Sequence, residues 1–322
     1  MSKFFYAQQK GKVGKFVAVS NESSGFFMQS IDGITWTNQG SITRNPQDVI
    51  YCPELSLWVM SCRGNGDSVG NMIYTSPDAI TWTVRTTTSA NGRYLAYAPN
   101  IGGVANSQVI VLIGDSGSAG IINTSTDGIT WTSRTYPFSS GNNGQAVAWD
   151  QKLGLFIMYT YGGKIATSPN GITWTTQTAP NTNEYTRAIS NGQGTVIAVC
   201  DAGTTRTTTT TNGTTFNAIT EAQTNGWIGI AYGGNTFVSV ANSGGSRTMN
   251  KSNPYGTWTG VSASATNNWT GIAYSPVYNR FVSVSNNGTN QVQYSNDYGS
   301  TWATASATGA HSWQSVAWGQ SG

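Results

Sequence analysis

Ser125-Thr126-Asp127-Gly128-Ile129-Thr130-Trp131 decides the reading of this sequence, because it returns around the whole chain. Its close relatives are Ser30-Ile31-Asp32-Gly33-Ile34-Thr35-Trp36, Ser76-Pro77-Asp78-Ala79-Ile80-Thr81-Trp82 and Ser168-Pro169-Asn170-Gly171-Ile172-Thr173-Trp174. Thr210 to Phe216 and Ser252 to Trp258 are weaker copies. Ser295-Asn296-Asp297-Tyr298-Gly299-Ser300-Thr301-Trp302 is one residue longer. The closing aromatics are Trp36, Trp82, Trp131, Trp174, Phe216, Trp258 and Trp302, spaced 42 to 49 residues apart. Seven copies at that period predict a repeat architecture. Asp or Asn followed by Gly between strand-like runs marks a tight turn. The Asx side chain bonds its own backbone, and glycine takes positive φ without steric cost. Thr-Trp then opens a strand with β-branched and aromatic residues, so Asp32, Asp78, Asp127 and Asp297 read as structural turn residues.

Each repeat also carries a small-residue strand such as Gly271-Ile272-Ala273-Tyr274 and an apolar strand such as Phe281-Val282-Ser283-Val284. A third strand leads into the turn and a fourth begins at Thr-Trp. Four antiparallel strands per repeat predict an all-β fold, a seven-bladed β-propeller forming one domain over residues 1–322. Gly and Ala suit the innermost strands, where blades converge. After Trp302 one more inner-strand copy follows at residues 312–318. This C-terminal strand is predicted to complete the first blade beside N-terminal strands, closing the ring and hiding both edges. The competing arrangement uses Phe4 to Ala7 as that inner strand.

The turns resemble the Asp-box, or BNR repeat, of sialidase-like β-propellers, S-x-D-x-G-x-T-W. Ser295 to Trp302 matches the pattern in full, and the other copies lack a residue between Asp and Gly or replace the Asp. The resemblance covers essentially the whole chain and implies the propeller fold. It does not select a function, since Asp-boxes occur in hydrolases, assembly factors, receptors and phage structural proteins.

Composition removes several classes. The net charge of +3, from 16 basic and 13 acidic residues, carries no Lys/Arg cluster, which argues against nucleic acid as a partner. No apolar run reaches 18 residues, so no membrane insertion is expected, and the first ten residues do not read as a signal peptide. Three cysteines, Cys52, Cys62 and Cys200, fit neither a disulfide framework nor a zinc site. They read as buried thiols, with pairing of Cys52 and Cys62 left open. No metal or cofactor is expected.

In the propeller reading, the loops before the first strand and between the second and third strands share one face. That face collects the candidate ligand-binding residues Tyr185, Trp227, Trp269, Trp313, Asp115, Asp201, Arg206 and Arg247, with Asn21, Glu22, Arg63, Asp67 and Tyr161 nearby. Aromatic rings flanked by Asn, Asp and Arg suit sugars, which stack their C–H faces and hydrogen-bond their hydroxyls. The alternative is that these rings only wedge between blades. Three functions compete.

A sialidase-like glycosidase needs paired carboxylates and, by the resemblance, an F/Y-R-I-P motif. Thr43-Arg44-Asn45-Pro46 only approximates that motif, and His311, the sole histidine, reads as a turn residue. An assembly factor resembling the photosystem assembly propellers is the second possibility. The third, which the Thr/Ser/Asn/Gly-rich repeat style resembles most, is a non-enzymatic fibre or decoration protein of a bacteriophage particle. It would dock on other virion proteins and present loops to a host-surface glycan or receptor. The expectation is therefore a virion adhesion module without catalytic residues.

Overall fold

The computed structural model describes residues 13–64, 73–87, 91–115, 119–139, 141–252, 256–305 and 307–321. Asp67 and the segment Phe4 to Ala7 lie outside them. Strands β1 (Val13–Ser20), β2 (Gly25–Ser30) and β3 (Thr37–Ile42) open the chain. Six sets of four follow. The second blade is β4 (Asn45–Cys52), β5 (Leu57–Arg63), β6 (Ile73–Ser76) and β7 (Thr83–Arg85). The third is β8 (Asn91–Ala98), β9 (Val109–Asp115), β10 (Gly120–Ser125) and β11 (Thr132–Arg134). The fourth is β12 (Gly144–Asp150), β13 (Leu155–Thr160), β14 (Ile165–Ser168) and β15 (Thr175–Gln177). The fifth is β16 (Tyr185–Ser190), β17 (Val196–Cys200), β18 (Thr207–Thr210) and β19 (Asn217–Ile219). The sixth is β20 (Trp227–Gly233), β21 (Thr236–Ala241), β22 (Thr248–Ser252) and β23 (Thr259–Val261). The seventh is β24 (Trp269–Ser275), β25 (Arg280–Ser285), β26 (Val292–Ser295) and β27 (Ala303–Ala305). The C-terminal β28 (Trp313–Ser321) returns to the first blade.

All pairings are antiparallel, and the first sheet runs β28-β1-β2-β3. The inner place of that blade thus belongs to the C-terminal strand, with Phe16 opposite Trp318 and Val17 opposite Ala317. The strand reaches Ser321, three residues beyond the expected end. The inner strands β28, β4, β8, β12, β16, β20 and β24 each touch the next, and β24 touches β28, so they form a closed ring. One backbone bridge, Arg63 to Asn91, additionally joins the second and third blades. Apolar cores lie between blades: Phe16 and Met28 of the first blade pack with Val282, Val284 and Val292 of the seventh.

The recurring turn explains how neighbouring blades are pinned. Asp32 Oδ1 accepts from Ile34 N at 2.8 Å and Thr35 N at 2.9 Å, while Ser30 Oγ accepts from Gly33 N at 2.7 Å. Trp36 Nε1 donates back to Gly33 O at 3.2 Å. The same bonds recur at Asp127 and, with an amide oxygen, at Asn170. Burial pushes the Asp32 carboxyl up, but the N–H groups of Thr35 and Ile34 and the Ser30 hydroxyl outweigh it and hold it below its ordinary value. Asp78, Asp127 and Asp297 behave alike.

The turn glycine has a second duty. Gly171 sits at φ +73°, and a Cβ there would lie 2.7 Å from Val111 Cγ2 of the preceding blade. Gly33 stands in the same relation to Val282, and Gly128 to Leu57. The side chain is missing because the turn is wedged onto its neighbour's second strand. In the second blade Ala79 takes this place at φ +59° and is fully buried.

Three outcomes follow. Gly171→Ala should lower stability by about 2–4 kcal/mol in urea unfolding, combining the left-handed penalty for a Cβ with overpacking against Val111. Ala79→Gly, which relieves one term while losing a buried methyl, should stay within about 1 kcal/mol of the parent. Deleting residues after Gly309 should abolish cooperative melting of the entire ring, because it strips β1 of its inner partner; an unchanged melting curve would refute closure by β28.

Candidate functional site

The residues expected to form an open aromatic face do not form one. Trp227, Trp269 and Trp313 are 0% exposed and Tyr185 is 1% exposed. Each sits at the start of an inner strand, and for Tyr185, Trp227 and Trp269 a register shift in the pairing with the second strand follows at once. Trp227 Nε1 donates to Gln223 O at 2.9 Å, Trp269 Nε1 to Ala265 O at 3.1 Å, and Tyr185 Oη to Asn181 Oδ1 at 3.0 Å. These rings are wedges in the blade cores, and no ring face is left for a sugar. The physical reason is apolar area: a large ring at a crowded blade root is more favourable buried than exposed.

The polar candidates are dispersed. Asp115 is buried and bound by Arg93 Nε at 2.7 Å and Asn91 Nδ2 at 3.0 Å. Burial raises its carboxyl, but Arg93 outweighs that and holds it below the ordinary range. Asp201 is exposed. Arg206 donates to Gly203 O, and Arg247 bridges blades by donating to Asn267 O at 2.7 Å and Asn268 Oδ1 at 3.0 Å. Tyr161 is 51% exposed, and Arg63 is half-buried at the bridge to Asn91. Asn21 N donates to Ser312 O at 2.8 Å, and Glu22 accepts from Ser312 N at 2.7 Å. His311 Nδ1 lies 3.2 Å from Glu22 Oε2, and its ring stacks on Phe26 at 3.9 Å between centroids. These last three residues clasp the closing strand to the first blade. Cys52, Cys62 and Cys200 are buried free thiols, and burial pushes each one up, Cys200 to about 12.

What the structure brings together is the centre of the ring. A cavity of about 740 Å³ is lined by all seven inner strands. At one end the first level of these strands carries Asp48, Tyr94, Ala146, Arg187, Gly229, Gly271 and Ser315, in register by their pairing with the second strands. Arg187 reaches past Ala146 to lie 3.9 Å above the centre of the Tyr94 ring, a cation–π contact. Asp48 accepts from Ser315 Oγ at 2.7 Å and Leu95 N at 3.1 Å. Burial raises the Asp48 carboxyl above its ordinary value, and the Arg187 charge opposes that rise.

Three residues further along, the inner strands carry Tyr51, Tyr97, Trp149, Tyr232, Tyr274 and Trp318, all half-buried, and the first five of these line the cavity. Five of them lean on an aromatic of their own second strand: Trp149 on Phe156, Tyr232 on Phe237 and Tyr274 on Phe281 at 4.7 Å, Trp318 on Phe16 at 4.8 Å, Tyr51 on Trp58 at 5.0 Å. Several of their polar ends find partners in nearby turns. Trp149 Nε1 donates to Gln151 Oε1 at 3.2 Å, Tyr232 Oη to Asn235 Oδ1 at 3.1 Å, and Tyr97 Oη to Glu54 Oε2 at 2.7 Å. The sequence signal for this collar is the Tyr or Trp that recurs near the end of six of the seven small-residue strands.

No protein-family model matches the chain, and no curated protein matches it in sequence. Among solved structures it is similar to the GH74 enzyme of Niastella koreensis, at TM-score 0.61 and 20% identity over 80% of this chain and 45% of that one. It is similar to YCF48 from Cyanidioschyzon merolae at TM-score 0.60 and 13% identity, over 83% and 87% of the two chains. A chain of a nidogen/laminin complex aligns at TM-score 0.55 and 9% identity, over 94% and 98%. These likenesses are of fold, and the fold is a β-propeller. The chain spans less than half the length of the GH74 enzyme it matches.

A test of the cavity's charged end follows from linkage. The Asp48 carboxyl is raised above 3.8, so its contribution to stability is complete at low pH and declines as pH rises through its folded value. Arg187→Met removes the opposing charge and should therefore cost more at pH 7 than at pH 4, about 2 kcal/mol at pH 7 after discounting for partial solvation of Arg187. Equal losses at both pH values would show that the two groups do not communicate.

Proposed function

We propose that this propeller is a binding protein and not an enzyme, and that the aromatic-lined central cavity is where it binds. The observation that carries the reading is the character of that cavity: many aromatic and small apolar groups, with Asp48 and Glu54 the only carboxylates among the described residues that line it. The two belong to one stretch of chain, Asp48 within β4 and Glu54 just beyond its end. The strand from Asp48 to Cys52 alone spans about 13 Å, whereas glycosidase pairs stand about 5–9.5 Å apart. Both carboxylates are also engaged, Asp48 with Ser315 and Leu95, Glu54 with Tyr97. Elsewhere Asp150, Glu221 and Asp115 are tied to backbone or side-chain donors. A volume near 740 Å³ falls among ordinary ligand pockets of about 300–1,000 Å³.

The resemblance of the repeat to phage fibre and decoration propellers is the reason for placing this binding module on a virus particle, with other virion proteins holding it and a surface receptor as its target. Protein partners suit the fold, since one structural neighbour comes from a complex of nidogen with laminin. A purified chain should bind saturably on a panel of glycans or whole bacterial cells and leave aryl sialosides and glucosides uncleaved. Turnover that disappears in Asp201→Asn would replace this reading with a hydrolase.

A further inference from the structure

The aromatic collar has a gap. At the level occupied by Tyr51, Tyr97, Trp149, Tyr232, Tyr274 and Trp318, the fifth blade carries Ser190, which pairs with Val196 as Tyr232 pairs with Phe237. Two residues earlier, on the same face of β16, stands Ala188, where the other six inner strands carry Val49, Leu95, Val147, Ile230, Ile272 and Val316. Those six are buried, and Ala188 is half-exposed. Thr186 to Ser190 are all half-buried, an unbroken run that no other inner strand shows among the described residues. Two large side chains are thus missing from one face, and that face borders the cavity.

The place retains the features that hold an aromatic elsewhere in the ring. It lies between Trp149 of the fourth blade and Tyr232 of the sixth, both lining the same cavity. For three of the six collar residues the turn that follows supplies a side-chain oxygen to the donor: Gln151 for Trp149, Asn235 for Tyr232 and Asn279 for Tyr274. The corresponding turn of the fifth blade presents Gln193, whose side chain is exposed.

We infer that the vacancy at Ser190 receives a tyrosine or tryptophan side chain of a partner protein, which completes the collar as its seventh ring. The inference rests on the reading of the cavity as the binding site. An aryl group gains the apolar surface of Ala188 and Leu153, which share the seam between the fourth and fifth blades, and its O–H or N–H meets Gln193, so the site prefers phenol and indole over a plain arene. Ser190 itself is engaged, donating from Oγ to Asp150 Oδ2 at 2.7 Å, and Gly194 N donates to the same oxygen. Asp150 therefore replaces the small residue that accompanies an aromatic at the preceding seam, where Ala98 and Trp149 hold the matching levels.

The experiment uses the full chain with p-cresol and indole as side-chain analogues, toluene as the plain arene and methyl glucoside as the sugar, followed by saturation-transfer NMR titration. The expected result is saturable binding of p-cresol and indole with Kd ~1 mM, threefold or more tighter than toluene. Asp150→Ala with Ser190→Tyr, which transplants the Ala98/Trp149 pair, should weaken both at least tenfold while the melting temperature holds. Should that variant not fold, Gln193→Ala on the exposed turn serves instead: it should erase the preference for p-cresol over toluene. Failure of p-cresol and indole to bind, binding unchanged in the folded double variant, or a preference untouched by Gln193→Ala overturns the inference. So does binding of methyl glucoside alone. If the arenes fail while glycan or cell binding persists, only this inference falls; if both fail, the binding reading falls with it.

Discussion

A single steric constraint underlies the ring: the corner residue after Asp or Asn must hold positive φ and at the same time sit against the second strand of the preceding blade. Gly33 against Val282 and Gly171 against Val111 show the two demands coinciding at one atom that is not there. The carboxylate or amide oxygen beside it collects two backbone N–H groups and fixes the loop, so the glycine arrives at the neighbour in one pose. Long side chains extend the same link. Lys15 Nζ donates to Asp78 O at 2.9 Å, and Arg280 donates to Asp32 O, each from one blade to the corner of the next. Because the corner of the first blade leans on the seventh, the two blades need each other, and β28 supplies the remaining bond of the circle.

The inner strands carry aromatics at two levels, and burial separates their roles. At the start of the strands Tyr185, Trp227, Trp269 and Trp313 are wholly enclosed and tie their polar atoms, where paired, to the loop just before. They fill the blade roots. At the other level Tyr51, Tyr97, Trp149, Tyr232 and Tyr274 keep part of their surface in the cavity, and Trp149, Tyr232 and Tyr274 send their polar tips to the turns after them. The first set therefore contributes apolar burial, and the second leaves surface that a ligand can still cover.

The fold was legible because it is written seven times in short-range chemistry. Ser-x-Asp-Gly with a following Thr-Trp specifies a turn from its own atoms, and the period then specifies the ring. The C-terminal strand was legible for a related reason: Ser312 to Trp318 repeats the inner-strand pattern once more after the seventh corner. The site was not. Trp227 and Trp269 precede inner strands in loops that look open on paper, and only the packing of adjacent blades shows them enclosed. Asp48 and Arg187 stand 139 positions apart in blades two and five, and nothing local to either residue announces that they share a cavity. The collar had a signal, the repeated Tyr or Trp, but in a lone repeat that pattern equally describes an ordinary buried strand end.

Repetition also says where to look for specificity. Seven equal blades would give a cavity wall with the same group at every step, suited to nothing smaller than the ring itself. Binding of one side chain requires that some blade differ. The fifth differs most along its inner strand, with Arg187, Ala188 and Ser190 where neighbours carry small, branched and aromatic residues respectively. The first change puts a cation across the channel toward Tyr94, and the other two remove bulk on the opposite face of the same strand. A charged level and a place without bulk thus arise from three positions of one strand. The cost of that departure is carried by Asp150, which occupies the seam and is itself satisfied by Ser190, Leu153 and Gly194. Satisfying a buried carboxylate with three donors is what lets the small residues persist there without collapse of the seam.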